Sequence, residues 1–477
     1  MNEVIHIVSK EKDYWKKEEV EKDRMYEDTL ELTGEKRQEI LGFGGCFNEL
    51  GWDALQKTKE EVREGFLKEL YGAEGCAFNM GRVPIGANDF SLEWYSCDDT
   101  DGDYELKDFN VERDKKYTVP YIRAAQKYCP DLTLFASPWS PPAWMKTKKV
   151  YNFGRIRMEE PVLDAYARYF VKFVEAYKEL GIPVTMVHVQ NEPMADQKFP
   201  SCLWHGSDMR DFIKGYLGPA FEKSGLDTQI WLGTINGPFS DFRSGFGAPY
   251  EEFYDQFANT ILSDKDARKY LTGVGVQWGG KHQLEQIEAS FPEMHIMQTE
   301  SECGDGRNEW EQAEYIYFLM WYFFRHGAER YTYWNMALSE GGVSSWGWSQ
   351  NSLATIKEET GELTLQPEFY LMKHFSHFIK PGARLLGTKG HWTSNAMVFE
   401  NPDGQLVITV MNSMHHDRAF SFCHKERSFS AVIGAHSLHT FVVVIVIHVW
   451  KCIFQKKQIL WYIILFNQFY DISDCLK

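Results

Sequence analysis

Between residues 38 and 380 the chain alternates short apolar runs with longer segments whose apolar residues recur at helical spacing. The runs are EILGFGGCF (39–47), CAFNMGRVPI (76–85), LTLFASPW (132–139) and VTMVHVQ (184–190). They continue with IWLGTIN (230–236), GVGVQWG (273–279), HIMQTE (295–300) and YTYWNMAL (331–338). Between them lie KEEVREGFLKELYG, VPYIRAAQKYC, PVLDAYARYFVKFVEAYKELG and EQAEYIYFLMWYFFRHG, each with a helix-like apolar stripe. The third of these stops at Gly181, a C-capping glycine. Eight buried strands, most followed by a helix, predict a (β/α)8 barrel of the α/β class over residues 38–380. A doubly wound open sheet is the alternative, but no GxGxxG or Walker loop follows any strand.

The flanks read differently. DTLELTGE, before residue 38, and NAMVFENPDGQLVITVMNS and RSFSAVIGAHSLHTFVVV, after Pro381, have extended, alternating patterns, with PDG as a turn. Segments 1–37 and 381–445 are therefore expected to form a side β-sandwich from both ends of the chain. From about 446 to 477 the sequence is far more apolar and abandons that pattern; Lys451, Lys456 and Lys457 interrupt it before it reaches a spanning length. This tail reads as a non-native extension, with a membrane-associating end as the alternative and no firm anchor in either case.

Composition narrows the function. A formal net charge of −17 argues against a nucleic-acid partner, whose phosphates need a basic surface. Nine scattered cysteines without a CxxC pair indicate neither a disulfide framework nor a zinc site. No cluster has metal-ligand spacing, so neither a metal nor another cofactor is implied. The charged start, MNEVIHIVSKEKDYWKKEEVEKDR, lacks the apolar centre of a signal peptide. A cytoplasmic protein is expected, with secretion left open if the natural start lies upstream. Oligomeric state is not addressed by the sequence.

Chemistry in such a barrel gathers where strands end and βα loops begin. Those ends carry Asn48-Glu49, Arg82 with Asn88 and Asp89, Trp139, Asn191-Glu192, Gln277-Trp278, Glu300, and Trp334-Asn335. Glu192 and Glu300 end the fourth and seventh strands and are expected to face each other across the mouth. Retaining glycosidases need such a pair, one carboxylate attacking the anomeric carbon and one acid protonating the leaving oxygen. The acid must keep its proton near neutral pH, which a neighbouring negative charge favours. Asn191 is placed to bond a sugar 2-hydroxyl, and Arg82 to pair with Glu300 or a nearby carboxylate. Asp89 suits sugar hydroxyls, with a helix N-cap as its alternative. Trp139 and Trp334 are candidate sugar platforms, core packing being the alternative; Trp278, Trp346 and Trp348 are weaker. Glu302, competing with Glu300, is expected past the strand end and solvated. His205 and His282 are read as structural.

GFGGCFNELG, RVPIGANDFS, FASPWSPPAWMKT, VQNEP, MQTESECG and YWNMALSEGG, in this order, resemble glycoside hydrolase family 30, the glucosylceramidase-like clan A retaining hydrolases, over about residues 38 to 440. The resemblance implies a barrel with a side β-sandwich, Glu192 as acid/base and Glu300 as nucleophile. It also implies substrate contacts at Arg82, Asp89, Trp139, Asn191 and Trp334, to which Trp278 is added as an aromatic candidate. One departure is Gln277-Trp278-Gly279, where glucosylceramidase-like members commonly carry an HWY pattern. The expected substrate is a β-glucoside or β-glucan, with hydrolysis of the glucosylceramidase type. The first rival is an endo-β-1,6-glucanase, or a β-xylosidase or β-fucosidase, on the same scaffold; the second is a catalytically silent carbohydrate-binding protein.

Overall fold

A computed structural model describes residues 3–21, 24–237 and 254–444. The apolar tail, 446–477, lies outside the described residues.

All eight apolar runs contribute a strand to one closed barrel. In chain order these are β4 (Gly42–Cys46), β5 (Met80–Ile85), β6 (Thr133–Pro138), β7 (Met186–His188), β8 (Gln229–Ile235), β9 (Leu271–Gln277), β10 (His295–Glu300) and β11 (Ala328–Asn335). Neighbours pair in parallel, and β11 closes on β4. Parallel strands of this kind are covered on both faces, which explains why the runs are continuously apolar rather than alternating. Met80, Phe135, Met186, Trp231 and Met297 form an apolar cluster of their own, separate from the large core. Side chains alternate across a strand, so Arg82 and Ser137 share a face with Met80 and Phe135 and stand one layer nearer the strand ends.

The run 39–47 is not a single strand. Its first residues complete β3 (Thr29–Ile40) of an outer sheet, and the chain enters the barrel through Leu41. The run 331–338 also splits. After Asn335 the chain starts β12 (Ala337–Ser339), which joins β13 (Ala354–Lys357) and β14 (Glu362–Leu365) in a small sheet that the sequence pattern did not predict. The helix Glu160–Glu179 ends as expected, with Gly181 at φ 70°.

The outer layer has nine strands and draws on both ends of the chain. β1 (Glu3–Lys10), β2 (Asp13–Glu18) and β3 join β15 (Ala383–Lys389), β16 (Ala396–Glu400), β17 (Leu406–Asn412), β18 (Arg418–Cys423), β19 (Phe429–Ile433) and β20 (Ser437–Val444). Their order is β19-β18-β3-β15-β16-β17-β20-β1-β2, antiparallel except for β18 on β3. The sheet folds over its own core. Phe429 on β19 lies 4.9 Å from Phe441 on β20, and Phe420 on β18 stacks on the same ring at 5.4 Å. Pro402-Asp403-Gly404 turns β16 into β17, with Gly404 at φ 80°.

Candidate active site

Arg82, on β5, has no exposed surface, and a buried guanidinium needs partners for its donors. Nε and Nη2 donate to Ser137 Oγ at 3.0 and 2.9 Å. Nη2 also donates to Asn191 Oδ1 at 2.7 Å, and Nη1 donates to Glu300 Oε2 in an ion pair. The expected pairing of Arg82 with Glu300 is thus present. The guanidinium lies 4.3 Å from the ring centre of Trp139 and 5.5 Å from that of Trp334.

The fourth strand end is held from both sides. Asn191 N–H donates to Pro138 O at 2.7 Å, and Glu192 N–H donates to Thr234 O at 2.9 Å. Glu192 sits in the left-handed region at φ 45°, a conformation costing about 1–3 kcal/mol for a side chain of this type. Asn236, at the end of the fifth run, donates from Nδ2 to Glu192 Oε1 at 2.9 Å. Its Oδ1 accepts Gly279 N–H at 2.8 Å, which fixes the direction of the amide.

Both carboxyls are shifted upward. For Glu192, burial is the larger cause and the charge of Glu300 the second; together they push its carboxyl up to about 7 against the opposing Asn236 bond and Arg82. The neighbouring charge therefore assists a shift that desolvation leads. Burial also raises Glu300, while the Arg82 ion pair pulls it back. Asp89 is pushed well above the carboxylate range by burial, then by Glu300 and Glu192, which places it in the same field. Its Oδ1 has no hydrogen-bond partner among the described residues, and no helix begins directly after it, so it does not act as an N-cap.

Trp139 and Trp334 are both buried and stack on each other at 5.3 Å. Each ring thus has contacts inside the protein, with the other tryptophan and with Arg82. Trp334 Nε1 is a buried donor without a partner among the described residues. Trp278 is half-buried and opens the short 3-10 helix Trp278–Gln283 on the sixth loop. Trp346 stacks on Trp348 at 5.7 Å, and Ser345 of the same loop donates to Asp89 O. Glu302 departs from expectation. It follows the strand end but is half-buried, accepting Gly304 N–H and a bond from Gln312, and its carboxyl is raised by burial. Gln312, which reaches Glu302, stands on the helix Trp310–Arg325.

Two contributors, Thr234 and Asn236, were not singled out from the sequence, and Gln277 was named there only as a polar strand end and a departure from the family pattern. Gln277 donates from Nε2 to Asn191 Oδ1 at 2.7 Å, Thr234 Oγ1 at 2.9 Å and Glu300 Oε2 at 3.0 Å. Thr234 in turn donates to Asn191 Oδ1 at 3.1 Å. Asn236 had a readable signal, since it ends the fifth run as Glu192 follows the fourth. Other polar strand ends prove structural. Asn48 caps the helix Glu49–Gln56 and bonds Asn335 at 2.9 Å, while Glu49 pairs with Arg113 at 2.7 Å.

The family model described as "Glycosyl hydrolase family 30 TIM-barrel domain" matches residues 40–379, and the "Glycosyl hydrolase family 30 beta sandwich domain" matches 383–441. The chain belongs to glycosyl hydrolase family 30. It is similar to "Putative glucosylceramidase 1" of Caenorhabditis elegans, 32% identical with 80% of this chain and 76% of the relative covered. It is also similar to an "Endo-1,6-beta-D-glucanase" of Neurospora crassa, 25% identical with 80% of each covered. Among solved structures, SrfJ from Salmonella typhimurium shares the fold at TM-score 0.81 and 23% identity, covering 93% of this chain and 99% of that one. Family 30 membership makes the chain an O-glycosyl hydrolase with a glycoside as substrate. Among the described residues no helix is long and apolar enough to cross a membrane.

Proposed function

We propose that the chain is a retaining β-glucosidase of the glucosylceramidase type, with Glu300 as nucleophile and Glu192 as acid/base. One observation carries this reading: two half-buried carboxyls at the mouth have opposite partners. Glu300 shares Oε2 between Arg82 and Gln277, which favours its charged form. Among the described residues the Glu192 carboxyl is bonded by the amide of Asn236 and, raised to about 7, keeps its proton below neutrality.

The chemistry follows from that asymmetry. Both donors to Glu300 fall on Oε2, so Oε1 attacks the anomeric carbon while Glu192 delivers its proton to the departing oxygen. Esterification removes the Glu300 charge, and with it the second cause of the Glu192 shift. Glu192, its proton already gone with the leaving group, then stays ionised and acts as the base that takes a proton from the attacking water. Asn191 bonds the 2-hydroxyl. Asp89 Oδ1, an acceptor, and Trp334 Nε1, a donor, complete the hydroxyl contacts. Trp139 closes one side of the ring, and Trp278 borders the leaving group.

The substrate class is supported by similarity to proteins named glucosylceramidase. The second reading, an endo-β-1,6-glucanase, is favoured by the relative of that name. Turnover of an aryl β-glucoside, glucosylceramide and a β-1,6-linked glucan separates the two. Cleavage of the first two is expected, and cleavage of the glucan alone rejects the choice. A chain inactive on all three would be a binding protein. A 2-fluoro-glucoside adduct, located by mass spectrometry, is expected on the peptide containing HIMQTE.

A further inference from the structure

We propose that Gln277 is a positioning residue for hydrolysis: its single amide nitrogen sets the direction of the Asn191 amide and the placement of the Glu300 carboxylate together. The inference rests on the assignment of Glu300 and Asn191 above and adds a residue to it.

The geometry dictates which end of each amide is which. Asn191 Oδ1 receives Arg82 Nη2 and Gln277 Nε2, both at 2.7 Å, and the Thr234 hydroxyl at 3.1 Å. A guanidinium and a second amide both offer N–H groups here, so only the oxygen of Asn191 can face them. Its NH2 is thereby turned away from the cluster, as a donor for a sugar hydroxyl. Gln277 is fixed by the reverse argument. Its nitrogen faces three oxygens, on Asn191, Thr234 and Glu300, and a reversed amide would set oxygen against a carboxylate. Arg82 reaches the same two residues through the two ends of its rigid fork, Nη1 to Glu300 and Nη2 to Asn191, and so fixes each from the β5 side only. Gln277 Nε2 ties both acceptors to one atom on a third strand.

Gln277 bonds Glu300, and the other ionisable groups that share the field of Glu300 and Arg82 are Glu192, Asp89, Cys46 and His188. Burial holds His188 and Cys46 neutral, driving the imidazole down and the thiol up. Arg82 is therefore the cation of this group and Gln277 the donor that does not titrate.

Two variants test this on the full chain, one of them isosteric (Gln277→Glu), with Tm recorded for each. Gln277→Leu removes the donor. We expect kcat/KM on an aryl β-glucoside to fall about 100-fold, mostly in kcat because the 2-hydroxyl bond strengthens in the transition state. The acid limb of the profile moves to higher pH, since Glu300 loses a donor to its charged form. Gln277→Glu provides a donor only when protonated. Its activity relative to Gln277→Leu is expected to climb as pH falls, a signature that simple loss of packing does not give. If Gln277→Glu fails to fold, the Gln277→Leu profile decides. A Gln277→Leu enzyme with kcat and acid limb within twofold of wild type, or parallel profiles for both variants, overturns the proposal alone. A wild-type fluoro-glucoside adduct away from Glu300, or full activity in Glu300→Gln, overturns the functional reading and this proposal with it.

Discussion

Glu192 and Glu300 occupy similar depths yet must hold opposite charge states, so single side chains around them carry the sharpest predictions. Glu300→Gln keeps the shape and the Arg82 contact but removes the nucleophile; kcat/KM on an aryl β-glucoside is expected to drop at least about 10⁴-fold. The acid form of Glu192 is the working form, so activity should decline as pH rises through about 7, the value to which its carboxyl is pushed. Asn236 donates to the charged form and lowers that value. Asn236→Ala must therefore raise it, and the alkaline limb of the kcat/KM profile should move to higher pH. A limb that stays put, or moves down, means that Asn236 does not tune the acid.

At the scale of elements, the strands were legible because parallel strands covered on both faces leave continuous apolar runs, and the ends were legible because polar residues stop those runs. What was hidden depends on partners distant in sequence. Nothing in GVGVQWG tells that Gln277 meets Asn191, 86 positions away. Nor does apolarity say which sheet a residue joins, which is why EILGFGGCF reads as one strand although the chain changes sheets at Leu41. Glycine marks the close approaches. A Cβ on Gly44 would collide with the backbone carbonyl of Met80 on the adjacent strand, which no rotamer change relieves. Gly65, exposed within the helix Glu60–Tyr71, has nothing within 4 Å of its Cβ position. Gly44→Ala is expected to lose about 1–3 kcal/mol of unfolding free energy by overpacking. Gly65→Ala should gain about 0.5–1 kcal/mol from helix propensity. Urea denaturation of the two variants, with opposite signs expected, checks both.

For the whole molecule, the barrel and outer sheet meet through three buried histidines. His6 on β1 bonds His439 on β20 at 2.8 Å, and His439 bonds Ser437 at 2.8 Å. His374, on the helix Pro367–Ser376 that follows the barrel, bonds Ser9 and Thr440, both at 2.8 Å. Burial pulls His6 down to about 4 and His374 to about 3, and takes His439 well below its ordinary value. All three are neutral in the folded protein across the range where free histidine titrates. The unfolded chain binds more protons below pH ~6.5, so each histidine contributes stability at neutral pH that is lost as pH falls from ~6.5 toward its folded value. Between pH 7 and pH 5 the loss is about 2 kcal/mol per histidine. Buried carboxyls oppose it. Glu192 and Glu368, each raised to about 7, take up protons on folding and gain stability over the same interval. The sign of the total is a contest between the two sets, so the informative quantity is a difference between variants. His374→Gln retains a donor and an acceptor for Ser9 and Thr440 but cannot titrate. Its unfolding free energy should change between pH 7 and pH 5 by about 2 kcal/mol less in the destabilising direction than that of wild type. Parallel pH dependence in the two proteins would show that the seam between barrel and sheet does not sense acid.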